Sequence, residues 1–256
     1  MGLLDRRIGL VMGVANERSI AWSITQALWQ EGAELAFTHL PTPSSRRRIV
    51  RLVEPHQPPV VLPCDVQRDE DIAKVFAAVK ETYGRLDLLV HSIAFAPPQE
   101  LKKPYLEMSR QGWHLAMDIS AYSLVAVCRA AAPLMPPGSA VVTISYLGGE
   151  RVIPGYNVMG VCKAALEHSV RYLAWDLGDR QIRINAISAG PVRTLSSAGV
   201  AGFDQMLDHH VRKSCLHRSV KPDELARTAL YLLSDLSQGV TGETIHVDCG
   251  FSVVGL

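Results

Sequence analysis

Short, nearly unbroken apolar runs alternate along this chain with longer stretches in which apolar residues recur at helical spacing. IGLVM (8–12) precedes AWSITQALWQ, ELAFT (34–38) precedes a polar stretch, VVLP (60–63) precedes DIAKVFAAVKETYG, and LDLLVHS (86–92) follows. The second half repeats the rhythm: a helix near 111–134, a strand AVVTIS (140–145), a helix near 157–177 ending before Gly178 and a strand IRINAIS (182–188). A helix near 222–233 and a strand ETIHVD close the pattern. Apolar runs this short, alternating with helices, are strands buried on both faces of a parallel sheet. The expected architecture is therefore α/β: one doubly wound domain of Rossmann type over 1–256, with helices on both faces of a parallel sheet.

Two of the expected helices are apolar on more than one face. The first carries Trp113, Leu115, Ala116, Ile119, Leu124, Val125 and Val127, and the second Val158, Val161, Leu166, Val170, Leu173 and Leu177. A helix apolar nearly all round is covered on both sides. The sheet supplies one cover and a second subunit the other, the alternative being the chain's own C-terminal segment.

Composition narrows the function classes. A formal net charge of +1 with interspersed signs gives no reason to expect a nucleic acid or an anionic membrane as partner, and Arg46, Arg47, Arg48 and Arg51 read as a solvated helix start. Cys64, Cys128, Cys162, Cys215 and Cys249 are odd in number and form no C-x-x-C pair, which suggests neither a disulfide framework nor a metal site. The N-terminus lacks the apolar core of a signal peptide, and no apolar run approaches the roughly 18 residues of a membrane span. A cytoplasmic protein is expected.

The first strand leads into GVANERSIA (13–21), where a nucleotide-binding chain places its glycine-rich turn, yet only one glycine is present. Gly13 can open the turn, and Ser19 stands where its hydroxyl can cap the next helix and meet a phosphate, although a plain helix cap is the competing reading. Asp65, just past the third strand, can accept from an adenine amino group or simply form a turn. HSIAFA (91–96) runs off the fourth strand with the small residues Ser92, Ala94 and Ala96, as suits a backbone approached by ribose. All three lie at carboxyl ends of strands, where open α/β sheets bind ligands. The second strand ends in Thr38, His39 and Leu40 without the acidic residue expected for NAD; taken alone, this leans towards NADPH with Arg46 to Arg48 as phosphate partners.

The densest chemistry lies in SYLGGERVIPGYNVMGVCKAALE (145–167). Short-chain dehydrogenases usually carry Tyr-x-x-x-Lys on a helix, but four residues before Lys163 stands Met159. The tyrosine is instead Tyr156, seven before the lysine, with Tyr146 ten earlier. Seven residues are nearly two turns, about 10 Å of rise if the helix begins early enough, whereas a cap at Asn157 would leave Tyr156 outside. A ketoreductase needs its acid on the oxygen of the carbon that receives hydride. A 2-enoyl thioester takes hydride at the β-carbon while charge appears on the thioester oxygen, so a displaced tyrosine matches a displaced charge.

Together GVANERSIAW, CDV, HSIAFAPP, SYLGGERVIPGYNVMG-x-x-KA, NAISAGPVRTL and HVDCGF resemble the NADH-dependent enoyl-acyl-carrier-protein reductases of bacterial fatty-acid synthesis, a divergent branch of the short-chain dehydrogenase/reductase family. The resemblance implies that Gly13, Ser19 and Ile20 hold the pyrophosphate of NADH, with NADPH a weaker alternative. It places Asp65 and Val66 at the adenine, Ser92 and Ile93 on the ribose side, Lys163 on the nicotinamide ribose, and Val192 with Thr194 at the carboxamide and phosphates. Tyr156 would stabilise the enolate and Tyr146 position the substrate. Ala96, Phe203 and Met206 would meet the acyl chain, Phe203 and Met206 from a substrate-covering segment about 193–215. The segment SAGVAGFDQMLDHH lacks Lys and Arg, so acyl carrier protein would meet Arg193, Arg212 and Lys213. A homotetramer is implied, and no metal. A ketoreductase of the same fold and a non-catalytic dinucleotide sensor are the rival readings; Met159 opposes the first and the trio Tyr146, Tyr156 and Lys163 the second.

Overall fold

The computed structural model describes residues 2–194 and 203–255. Seven strands form one parallel sheet: β1 (Ile8–Met12), β2 (Glu34–His39), β3 (Val61–Pro63), β4 (Leu88–His91), β5 (Ala140–Ser145), β6 (Arg183–Ala189) and β7 (Thr244–Val247). Their order is β3-β2-β1-β4-β5-β6-β7, so the chain reverses its direction of travel between β1 and β4. This is the doubly wound arrangement expected from the apolar runs. β1, β4 and β6 are buried along their whole length, as strands covered on both faces must be.

On one face lie α1 (Ile20–Gln30), α2 (Pro43–Val53) and α9 (Pro222–Leu233), packed over Val11, Phe37, Val90 and Ile187. On the other lie α3 (Asp69–Tyr83), α6 (Ser123–Ala131) and α7 (Val158–Gly178), over Leu10, Leu89, Val141 and Ile184. Local sequence sets the helix ends. Asp69, Glu70 and Asp71 open α3 where the helix dipole favours anions, and Gly84 at φ 73° closes it in the left-handed conformation. α9 starts on Pro222, with a Glu224 carboxylate oxygen accepting from the Lys221 N–H at 2.8 Å.

Three expectations are corrected. The polar stretch after β2 is helix α2, capped by Thr42 accepting from Ser45 N–H at 3.2 Å, so the exposed arginines sit along its body rather than at its start. The helix near 111–134 is α5 (Arg110–Met117), a π turn at Asp118–Tyr122, α6 and a final 3-10 turn. The stretch Arg110–Leu134 is also long and apolar enough, by length and composition, to cross a membrane, contrary to expectation. Here Leu124, Val127 and Ala131 are fully buried against the sheet, which is how a core helix comes by such a composition. Finally, α7 runs through Gly178 rather than stopping before it.

Arg183, 8% exposed on β6, ties the sheet to the turn after α9. Its guanidinium donates to Leu232 O and Ser237 Oγ at 2.8 Å and to Ser234 O at 3.0 Å. Arg183→Met should strand these acceptors and cost at least about 2 kcal/mol. In thermal unfolding this is a fall in Tm of roughly 4 °C or more; an unchanged Tm would refute the tie.

Candidate active site

The carboxyl ends of β1 and β4 diverge at the reversal point, which is where an open α/β sheet binds a ligand. Gly13 follows β1 at φ 103°, and a Cβ there would collide with the Ser92 carbonyl. One glycine suffices because this is the one position in the loop with left-handed backbone; Ile20 already lies in α1. Ser19 caps α1, accepting from Trp22 N–H at 3.3 Å while its hydroxyl donates to Asn16 O at 2.7 Å. No acidic residue stands in the first turn of α1, so nothing there opposes a pyrophosphate at the positive helix end.

Asp65 and Val66 lie just past β3. The Asp65 carboxylate accepts from Gln67 N–H at 3.1 Å, the turn-forming arrangement, and Val66 is buried in the core. Ser92 and Ile93 leave β4 half-buried, whereas Ala96 is buried in a small cluster with Ala116, Val158, Met159 and Cys162, against which Tyr156 packs. The π turn explains why the 92–96 segment holds its course. It presents Ser120 Oγ, which accepts from Phe95 N–H and donates to Phe95 O, both at 2.8 Å.

Tyr156 lies outside α7, whose first residue is Val158. Asn157 occupies the cap position but does not cap: its backbone is left-handed at φ 43°, and its amide donates to Lys103 O at 2.7 Å and Glu100 O at 3.3 Å. The chain thereby turns just before the helix and sends Tyr156 towards Tyr146, the rings meeting edge to face at 4.9 Å. The ring lies against Gly148, which itself packs directly on Gly160. A Cβ on Gly148 would lie 2.8 Å from Tyr156 Cε1, and one on Gly160 would lie 2.7 Å from Gly148 O.

Below the tyrosines the site is buried and polar. Lys163, 5% exposed, donates to Ile144 O at 2.6 Å; burial pulls its pKa down to about 8. An ammonium has three donors, and this bond engages one. Burial also keeps both phenols protonated, lifting the Tyr146 pKa to about 12 and that of Tyr156 further still. His91 is fully buried between Thr143 and Ser123, and burial first, then Lys163, hold it neutral with a pKa near about 3. Glu167, one turn after Lys163, is raised by burial and takes a short hydrogen bond from Ser145 Oγ.

Of the covering segment, 195–202 lies outside the described residues, and α8 (Phe203–Lys213) follows it. Met206 faces the site, its Sδ accepting from Tyr146 OH at 3.2 Å, whereas Phe203 lies under the Arg193 guanidinium at 5.9 Å. Val192 packs on the core, and Thr194 is half-buried before the gap. Sequence reasoning missed Ser120, His91 and Glu167, whose partners lie far along the chain, and read Asn157 as a helix cap, whereas its side chain binds the carbonyls around Lys103 instead.

A family model described as Enoyl-(Acyl carrier protein) reductase matches residues 13–252. The chain belongs to the enoyl-acyl-carrier-protein reductase family. It is 48% identical over 255 residues to the enoyl-[acyl-carrier-protein] reductase [NADH] FabI of a Nostoc species, covering 99% of each chain. To the enzyme of Staphylococcus aureus, named for NADPH, it is 48% identical over 98% of each. The crystal structure of the NADH enzyme from Aquifex aeolicus superposes with a TM-score of 0.96 at 44% identity over the whole of both chains.

If Gly148 makes room for Tyr156, Gly148→Ala should push the phenol aside and lower kcat on an enoyl thioester by roughly 10–100-fold, the usual result of a misplacement near 1 Å. Cofactor affinity, read by fluorescence titration, should barely move. Equal losses in both would show that the glycine serves the fold alone.

Proposed function

We propose that this member of the enoyl-acyl-carrier-protein reductase family reduces trans-2-enoyl thioesters delivered on acyl carrier protein, the last step of each fatty-acid elongation cycle, with NADH as reductant. The observation that carries this reading is Tyr156 outside α7 and against Tyr146, with Lys163 buried on the helix that follows. Met159, 7% exposed, fills the place where a ketoreductase would need its tyrosine.

The bound nicotinamide supplies hydride to the β-carbon. The Tyr156 phenol, held protonated by burial, donates to the thioester oxygen on which charge develops, and Tyr146 orients the substrate. Protonation of the α-carbon completes the reduction. Lys163 holds the nicotinamide ribose through its ammonium. Gly13, Ser19 and Ile20 hold the pyrophosphate, Asp65 and Val66 the adenine, Ser92 and Ile93 the ribose side, and Val192 with Thr194 the carboxamide and phosphates. Ala96, Phe203 and Met206 receive the acyl chain.

NADPH is the weaker alternative: Leu40 is 62% exposed, and the arginines of α2 are solvated. Arg193 already pairs with Asp204 at 2.6 Å, which leaves the exposed Arg212 and Lys213 for the acidic carrier. A homotetramer is the proposed assembly. It is supported by the outer face of α7, where Tyr172 and Trp175 are 67% and 84% exposed beside a groove of ≈ 350 Å³. The cytoplasm is the proposed location.

Purified protein with NADH should reduce crotonyl thioester and leave acetoacetyl thioester untouched; comparable turnover of the keto substrate overturns the assignment. Tyr156→Phe should lower kcat by about 10²–10³-fold, the typical cost of one oxyanion donor, and spare NADH affinity.

Lys163 gives a pH signature. Burial lowers its pKa, so the charged form that grips ribose persists below about 8 and is lost as pH rises through that value. The Kd for NADH should be flat near neutrality and climb above about pH 8, and Lys163→Met should flatten the climb. An alkaline limb that survives in the variant would assign it to another group.

A further inference from the structure

Among the described residues, α8 carries a strongly buried imidazole that takes no part in the steps above. His210 is 2% exposed, and neither ring nitrogen has a hydrogen-bond partner among the described residues. It lies one turn after Met206, so the two side chains share a helix face. That face meets Tyr146 at Met206 and borders the same small cavity as Tyr146 at His210. Met206 Sδ meets the phenol, and His210 lines with Tyr146, Ser188, Gly190, Asp248 and Phe251 a cavity of ≈ 10 Å³. The imidazole stacks on Phe251 with centroids 4.9 Å apart and planes 26° from parallel.

Such a ring is tolerated in that place only while neutral. The nearest anion, Asp248 just past β7, spends its two carboxylate oxygens on Gly250 N–H at 2.9 Å and Ser252 N–H at 2.8 Å. From β5 the facing group is the Tyr146 phenol, which stays uncharged, and β6 offers only Ser188 and backbone. On α8 itself the neighbour is His209, which adds repulsion. Burial outweighs the pull of Asp248, exerted by its charge and by its backbone carbonyl, and holds His210 below its ordinary value of 6.5.

We infer that His210 is a positioning residue: as a neutral imidazole it seats α8, and with it Met206, against Tyr146, and its protonation unseats the helix and opens the acyl site. The sign follows from linkage. The group binds a proton less well when seated than when solvated, so seating is complete above pH 6.5 and weakens as pH falls below it. The inference rests on the enoyl-thioester reading for its effect on substrate, but not for its effect on α8.

Two measurements separate them. Between about pH 7.5 and about pH 5.5, the KM of the wild type for trans-2-dodecenoyl thioester should rise by up to about tenfold, the limit for one group one unit below its solvated pKa. Across that span kcat should move less than about twofold, because the reacting phenol does not titrate there. His210→Phe, which keeps the stack on Phe251 and carries no proton, should abolish the rise, as should His210→Gln if the phenylalanine variant fails to fold. Amide hydrogen exchange along α8, corrected for its intrinsic pH dependence, should accelerate relative to α9 over the same span in the wild type and not in the variants. A KM rise that persists undiminished in the variants, or pH-independent protection of α8 in the wild type, overturns the inference. No turnover of any enoyl thioester would instead overturn the functional reading, and exchange along α8 would still decide the role of His210.

Discussion

The site depends on one steric constraint: the Tyr156 ring fills a slot left by the missing side chain of Gly148, just after β5, and Gly148 in turn packs directly on Gly160, in the first turn of α7. Neither position has room for a Cβ, and the two backbones themselves approach closely, a Cβ on Gly160 falling 2.7 Å from Gly148 O. The left-handed backbone of Asn157 lets the chain turn into this slot, and its amide holds the turn by binding the carbonyls around α4 (Pro98–Lys102). Two elements distant in sequence are thus pinned to one aromatic ring. That ring can then meet Tyr146 at a fixed angle instead of lying along the helix above Lys163.

Burial does the electrostatic tuning around that slot. The phenols are kept protonated and Lys163 is brought to a pKa of about 8, while His91 is held neutral, all with desolvation as the leading cause. These directions suit an enoyl-thioester reductase: a protonated donor where an oxyanion develops, and an ammonium that keeps its charge near neutrality. They also carry a stability cost, since a buried ammonium with one carbonyl partner is less favourable than a solvated one. Strain and desolvation at a functional site are offset by the close-packed sheet beneath it, whose β1, β4 and β6 are buried along their length.

The π turn at Asp118–Tyr122 plays the corresponding part for the 92–96 segment that leaves β4. By widening one turn of an otherwise regular helix it aims Ser120 at both polar groups of Phe95, fixing a loop with no regular structure of its own. The same irregularity divides α5 from α6 within a segment that has the length and apolarity of a membrane span, and α6 is the part of it packed into the core.

Most of the fold was legible in the chain, because strands buried on both faces leave apolar runs that no surface element shares, and because Gly84, Pro222 and the acidic start of α3 mark helix ends locally. The tyrosine displaced from Met159 to Tyr156, and the lone Gly13 after β1, were equally plain, since each depends on residue type at a fixed spacing. Helix α2 was legible only as a helix start at its arginines: only Ile49 and Val53 of its residues are buried, too few to impose a period on a polar stretch. Which side of the helix start Tyr156 falls on was left open by spacing alone. That was decided by the slot at Gly148 and the packing of Gly148 on Gly160, contacts between segments joined only in three dimensions. The neutral state of His91, the clamp of Ser120 on Phe95 and the burial of His210 behind Tyr146 were likewise invisible, because desolvation and hydrogen-bond partnership belong to the packed surroundings of a side chain and not to its place in the sequence.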